Sequence, residues 1–224
     1  MSHEQGRKIP VGISACLLGE EVRHDGGHKH KKYLTQVLAK YFDFRSLCPE
    51  LEAGLGVPRP AIHLREYRDG LRLITTKGDA DHTGAMDGWI QETLPALSGL
   101  RGFILKAKSP SCGMERIRIH NEEGQVIRRD GRGLFAQALM EAYPLLPVEE
   151  EGRLNDSHLR ENFIERVMAA IEQDNDLLMT LQDVEEMLIL AFELISGREI
   201  PVLSFEYRGR WRLAQAFDNL EEAR

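Results

Sequence analysis

Apolar residues alternate through residues 10–15, where Val11, Ile13 and Ala15 are separated by small Gly12 and Ser14. That alternation predicts a buried strand. The period then changes. Between residues 31 and 41, Tyr33, Leu34, Val37, Leu38 and Tyr41 form the stripe of an amphipathic helix. Residues 43–47 predict a second strand, and Pro49 stops its ladder because it has no N–H to donate. Runs at 62–67 and 71–75 flank Asp69-Gly70 and predict a hairpin. Met86, Trp89, Ile90 and Leu94 predict a helix over residues 83–97, with Thr83 suited to cap it. Phe103-Ile104-Leu105 mark a third strand within 102–107. Residues 115–120 and 125–129 predict another hairpin around Glu123-Gly124, and Leu134, Phe135, Ala138 and Leu139 a helix over 131–143.

Residues 144–152 carry two prolines and Glu149-Glu150-Glu151, and read as a linker. Beyond them a helix opened by Asn155 or Asp156 would align Leu159, Phe163, Ile164, Val167 and Ile171. Asp183 and Glu186 resemble a capping box for a helix ending at Gly197, and Arg208-Gly209 would turn a terminal hairpin. The expected organisation is one domain over 1–145 and a smaller, mainly helical region over 146–224. In the first, strands alternate with helices. This implies an α/β fold with a Rossmann-like, mostly parallel sheet and flanking helices. Such sheets bind ligands outside the carboxyl ends of their strands.

Composition narrows the functional classes. The chain has 224 residues, 42% of them hydrophobic, so a sizeable core is available. The net charge of −7 argues against nucleic acid as a partner. No apolar run approaches the roughly 18 residues of a membrane helix, so a membrane partner is not expected. The first eight residues lack the apolar segment of a signal peptide. The expected location is therefore the cytoplasm, where three cysteines do not suggest a disulfide framework.

Those cysteines are Cys16, Cys48 and Cys112, each at or shortly after the end of a predicted strand. Their loops are framed by Gly, Pro and Ser, as in Cys48-Pro49-Glu50 and Ser109-Pro110-Ser111-Cys112-Gly113. A single cysteine at a strand end is commonly a small buried hydrophobe. Three together could instead hold zinc with His24, His28 or His30, although the paired Cys-x2–4-Cys spacing is missing. They could also hold an iron–sulfur cluster, in which three thiolates leave one iron open to a soft donor such as sulfur.

Several stretches together resemble the thiouracil desulfurase family. They are Ser14-Ala15-Cys16-Leu17-Leu18-Gly19, Arg23-His24-Asp25-Gly26, Cys48-Pro49-Glu50, Pro58-Arg59-Pro60, Lys77-Gly78-Asp79 and residues 105–113. Residues 152–167 resemble the start of the helical domain fused to the family's longer members; beyond Val167 the likeness ends. The resemblance implies a [4Fe–4S] cluster held by Cys16, Cys48 and Cys112. It implies an enzyme that removes sulfur from a thiolated pyrimidine, 2-thiouracil to uracil, without net redox change. Substrate sulfur would bind the open iron. Glu50 would act as acid or base, and Ser109 would hydrogen-bond the substrate or the attacking water. Asp25, Ser111 and Arg59 are further candidates for substrate binding, and a homodimer is among the expected assemblies. The alternative is a non-enzymatic, metal- or cluster-bearing sulfur carrier or interaction protein.

Overall fold

A computed structural model describes residues 8–172. The helix expected after Asp183 and the hairpin at 201–213 lie outside the described residues. The strands are β1 (Ile9–Ser14), β2 (Phe42–Leu47), β3 (Ile62–Tyr67), β4 (Gly70–Thr75), β5 (Gly102–Leu105), β6 (Ile117–His120), β7 (Val126–Gly131) and β8 (Val148–Glu150). The helices are α1 (Lys32–Gln36), α2 (Thr83–Thr93), α3 (Leu134–Ala142) and α4 (Ser157–Glu172).

Two four-stranded sheets result. The first is parallel throughout, in the order β2-β1-β5-β8, as the βαβ pattern implies. The second joins the two expected hairpins in the order β4-β3-β6-β7. Its central pair, β3 and β6, runs parallel, with Leu64 opposite Ile119. Neither hairpin alone contains this contact, so local patterning could not predict it.

Both faces of the parallel sheet are covered. Ile9, Val11 and Ile13 share one apolar cluster with Tyr33, Leu34 and, from α4, Phe163, Ile164 and Val167. Phe103 and Leu105 share the other with Met86, Ile90, Phe135 and Leu139 from α2 and α3. The second sheet closes that cluster through Leu64, Leu73, Ile117 and Ile119. Phe135 bridges its rings, 5.5 Å from Phe103 and 5.3 Å from Trp89.

Three expectations are corrected. The helix over 31–41 is broken: α1 stops at Gln36, Val37 has φ −110° and ψ −68°, and a 3-10 turn follows at Leu38–Lys40. Tyr33, Leu34, Val37 and Leu38 of its apolar stripe nevertheless stay buried, and Tyr41 partly so. Thr83 is the first residue of α2, not its cap. Asp81 Oδ1 accepts the Thr83 N–H at 2.9 Å, while Thr83 Oγ1 accepts the Leu73 N–H at 2.8 Å. The residues read as a linker contain β8, paired in register with β5. All three glutamates there are buried, at 7%, 7% and 5% exposure. A run of carboxylates reads as solvated surface, but each of these has a partner in a neighbouring loop.

Gly12 is where the packing is tightest on the sheet. A Cβ there would lie 2.3 Å from the Phe103 ring. Gly12→Ala should destabilise the protein by about 1–3 kcal/mol through overpacking, read as a lower denaturant midpoint with an unchanged slope. An unaltered midpoint would show that Phe103 yields freely.

Candidate functional site

The order β2-β1-β5 sets three strand ends side by side. Cys16 follows β1 in a 3-10 turn, Cys48 follows β2 directly, and Cys112 lies in the loop between β5 and β6. All three border one cavity of about 200 Å³. That exceeds the ~150 Å³ that admits a benzene-sized guest, so a small ligand fits there. A larger groove of about 530 Å³ adjoins it and shares Ile62, Lys108 and Pro110, but contains no thiol. All three thiols lie on the smaller cavity.

The backbone around each cysteine is pinned. Lys29 N donates to Cys16 O at 2.8 Å. Glu52 Oε1 accepts the Cys48 N–H at 2.7 Å. Ser109 Oγ accepts the N–H groups of Ser111 and Cys112 at 3.2 and 3.1 Å, a local turn bond of the kind serine favours. This loop starts from Lys108 in the left-handed region, φ 61°, which is uncommon for a residue other than glycine. It is backed by Gly133, whose Cβ, if present, would lie 2.5 Å from the Ser111 carbonyl.

Cys16 and Cys112 are buried and Cys48 is half-buried. Burial pushes the Cys16 thiol up to about 11, with the Lys106 ammonium pulling the other way. Burial raises Cys48 as well. Burial and then the Glu50 carboxylate raise Cys112. The three side chains are therefore thiols at neutral pH unless a metal draws off their protons. Among the described residues, no three His, Cys, Asp or Glu side chains are gathered as ligands of one ion.

Glu50 is the polar centre of the cavity wall. Its Oε2 accepts Arg59 Nε at 3.0 Å and Nη2 at 2.6 Å. Its Oε1 accepts the hydroxyls of Ser111 at 3.1 Å and Ser109 at 3.3 Å. Four donors to one side chain suit a carboxylate, which has about four acceptor positions and no donor. Arg59 is almost fully occupied: Nη1 donates to Gly56 O at 2.7 Å and Nη2 also to Val22 O at 3.0 Å.

The structure thus brings Cys16, Cys48, Cys112, Glu50, Arg59 and Ser109 to one cavity. It does not bring Asp25 or Ser111 to the lining. Asp25 is exposed, accepting the Gly27 N–H at 3.1 Å and pairing with Arg23 at 3.4 Å, so its carboxylate serves its own turn. Ser111 has no exposed surface and holds Glu50 from behind.

Sequence reading missed the β8 glutamates. Glu151 pairs with Lys106, which lines the cavity, and accepts the Ala107 N–H at 2.7 Å. Glu150 accepts the Met114 N–H at 2.8 Å, and burial raises its carboxyl. Glu149 accepts Arg153 Nε at 2.6 Å, and Arg153 reaches Glu115 at 3.1 Å. These carboxylates brace both ends of the Cys112 loop. One signal was available: a helix over 131–143 in an α/β chain calls for a following strand.

The 2-thiouracil desulfurase family model matches residues 11–151. The chain belongs to that family. The match includes all three cysteines and β8. Among solved structures, the chain is similar to the [4Fe–4S]-dependent thiouracil desulfidase TudS, at 31% identity and a TM-score of 0.54, covering 69% of this chain and 99% of that one. Comparison with curated proteins finds no match. Among the described residues, no helix is long and apolar enough to cross a membrane.

In the Glu50–Arg59 pair Arg59 is buried and Glu50 partly so, at 3% and 14% side-chain exposure. Arg59→Met should cost about 3 kcal/mol, because it strands a carboxylate in the wall. Adding Glu50→Met should restore most of it, since breaking such a pair costs more than replacing both halves. Urea unfolding of the two variants measures this; equal losses would show that the pair is not coupled.

Proposed function

We propose that this protein is an iron–sulfur-dependent enzyme that removes sulfur from a thiolated pyrimidine, taking 2-thiouracil to uracil and sulfide without net redox change. The observation that carries the reading is the meeting of three thiols and a fixed carboxylate at one cavity, in a chain of the desulfurase family. TudS is [4Fe–4S]-dependent, and the residues here fit such a group. Three soft sulfur donors border one cavity, the ligand chemistry that an iron–sulfur cluster takes. Cys16, Cys48 and Cys112 would hold it. When bound, it supplies an open iron, a Lewis acid toward the thiocarbonyl sulfur.

The chain's own residues then handle the proton and the water. Glu50 takes the role of base, because its two carboxylate oxygens face only donors, from Arg59 and both serines. All its acceptor positions are filled at rest, so one donor must leave before a water can give up its proton there. Ser109 is the movable one. Its bond to Glu50 is the longest of the four at 3.3 Å, and Ser109, unlike Ser111, lines the cavity. Its oxygen is fixed by two backbone N–H groups, so only its hydroxyl hydrogen turns, from Glu50 toward water or the ring. Arg59 keeps Oε2 engaged and aims the carboxylate.

Sulfide release from 2-thiouracil under anaerobic conditions tests this. Glu50→Gln should lower kcat by about 100-fold or more at unchanged iron content. Ser109→Ala should lower it by about tenfold, the equivalent of one hydrogen bond. Full turnover in Glu50→Gln would remove Glu50 from the mechanism.

A further inference from the structure

Charges of both signs line the cavity. Glu50 is one. Of the cations that line the cavity, Arg59 is spent on Glu50, Gly56 and Val22, Arg23 pairs with Asp25, and Lys108 is exposed. Lys106 differs from all of them. Its side chain is 15% exposed and paired with Glu151, which is 7% exposed. An ammonium has three N–H donors. One goes to Ala107 O at 2.8 Å and one to Glu151. The third has no protein partner among the described residues. Lys106 is also fixed by its backbone, whose N–H donates to Ser14 Oγ at 2.9 Å at the end of β1. Glu151 lies beside it because β8 pairs with β5, the strand that leads into Lys106. The result is an anchored ammonium with one spare donor, bordering the same space as a carboxylate.

We propose that Lys106 is the residue that reads the pyrimidine's remaining carbonyl, with Glu151 as its positioning residue. This rests on the desulfurase reading and deepens it. In 2-thiouracil the ring N3–H lies between the thiocarbonyl and the C4 carbonyl. A wall that offers an ammonium matches that edge: the Lys106 ammonium donates to the C4 oxygen, and the Glu50 position that Ser109 vacates is left to the water. A ring without the C4 oxygen leaves the third donor unpaired in a partly buried wall, which is costly. The site therefore selects rings that carry a carbonyl next to the thioamide.

Uracil, the product, probes this contact without the sulfur. 3,4-Dihydropyrimidin-2-one, which keeps both ring N–H groups but lacks the C4 oxygen, is the control ligand. Both are titrated calorimetrically into the anaerobic holoenzyme. In Lys106→Met, uracil should bind about tenfold or more weakly, as expected for a lost charged hydrogen bond, while the dihydropyrimidinone changes less than about twofold. Glu151→Gln keeps an acceptor for the Ala107 N–H but frees the lysine. It should weaken uracil by about threefold with the dihydropyrimidinone unchanged, and it carries the test if the methionine variant does not fold. Equal weakening of both ligands, or unchanged uracil binding, overturns the role of Lys106 while a wild-type enzyme that still releases sulfide leaves the desulfurase reading standing. A wild-type holoenzyme that releases no sulfide from 2-thiouracil overturns both.

Discussion

The Glu50–Arg59 ion pair is the interaction on which this site depends. Its members sit in the loop after β2 and in the loop that leads to β3. Through Val22 and Gly56, Arg59 adds two further backbone segments, and through Ser109 and Ser111, Glu50 adds the loop that carries Cys112. One carboxylate and one guanidinium therefore set the distances between loops separated by many residues in sequence. Pairing also solves the cost of burial, since a carboxylate in this wall without its cation would be strongly unfavourable. A carboxylate can then be held at a fixed place in the cavity wall.

A second constraint comes from the parallel sheet. Because β2, β1, β5 and β8 all run the same way, whatever follows each strand emerges on one edge. Three of those positions carry cysteines, and the fourth carries Glu151. Glu150 at the end of β8 and Glu151 just after it act as clamps on the Cys112 loop, holding Met114 after the cysteine and Ala107 before it. The loop has little regular structure of its own. Its shape comes from these carboxylates, from Ser109 and from the close approach of Gly133.

Much of this was legible in the sequence. Alternation marked β1, Pro49 marked the end of β2, and Asp69-Gly70 marked the first hairpin, because each is a local property of the backbone. The cysteines stood out because strand ends in an α/β sheet are where ligands go. What was illegible depended on partners distant in sequence. Glu149, Glu150 and Glu151 look like surface charge until the loop they clamp is known. Arg59 and Ser111 look like ligand contacts, yet one is consumed by Glu50 and the other lies behind it. The joining of two hairpins through β3 and β6 had no local signature at all.

The site gathers three thiols raised by burial, one paired carboxylate and one anchored lysine, and in the proposed function a thiophilic metal group would draw off the thiol protons. The nature of that group is the centre of the account. Iron, acid-labile sulfide and zinc should be quantified in protein purified without oxygen, for the wild type and Cys48→Ala. The account predicts about four irons and four sulfides per chain in the wild type, and loss of both in the variant. One zinc per chain with no iron would contradict it.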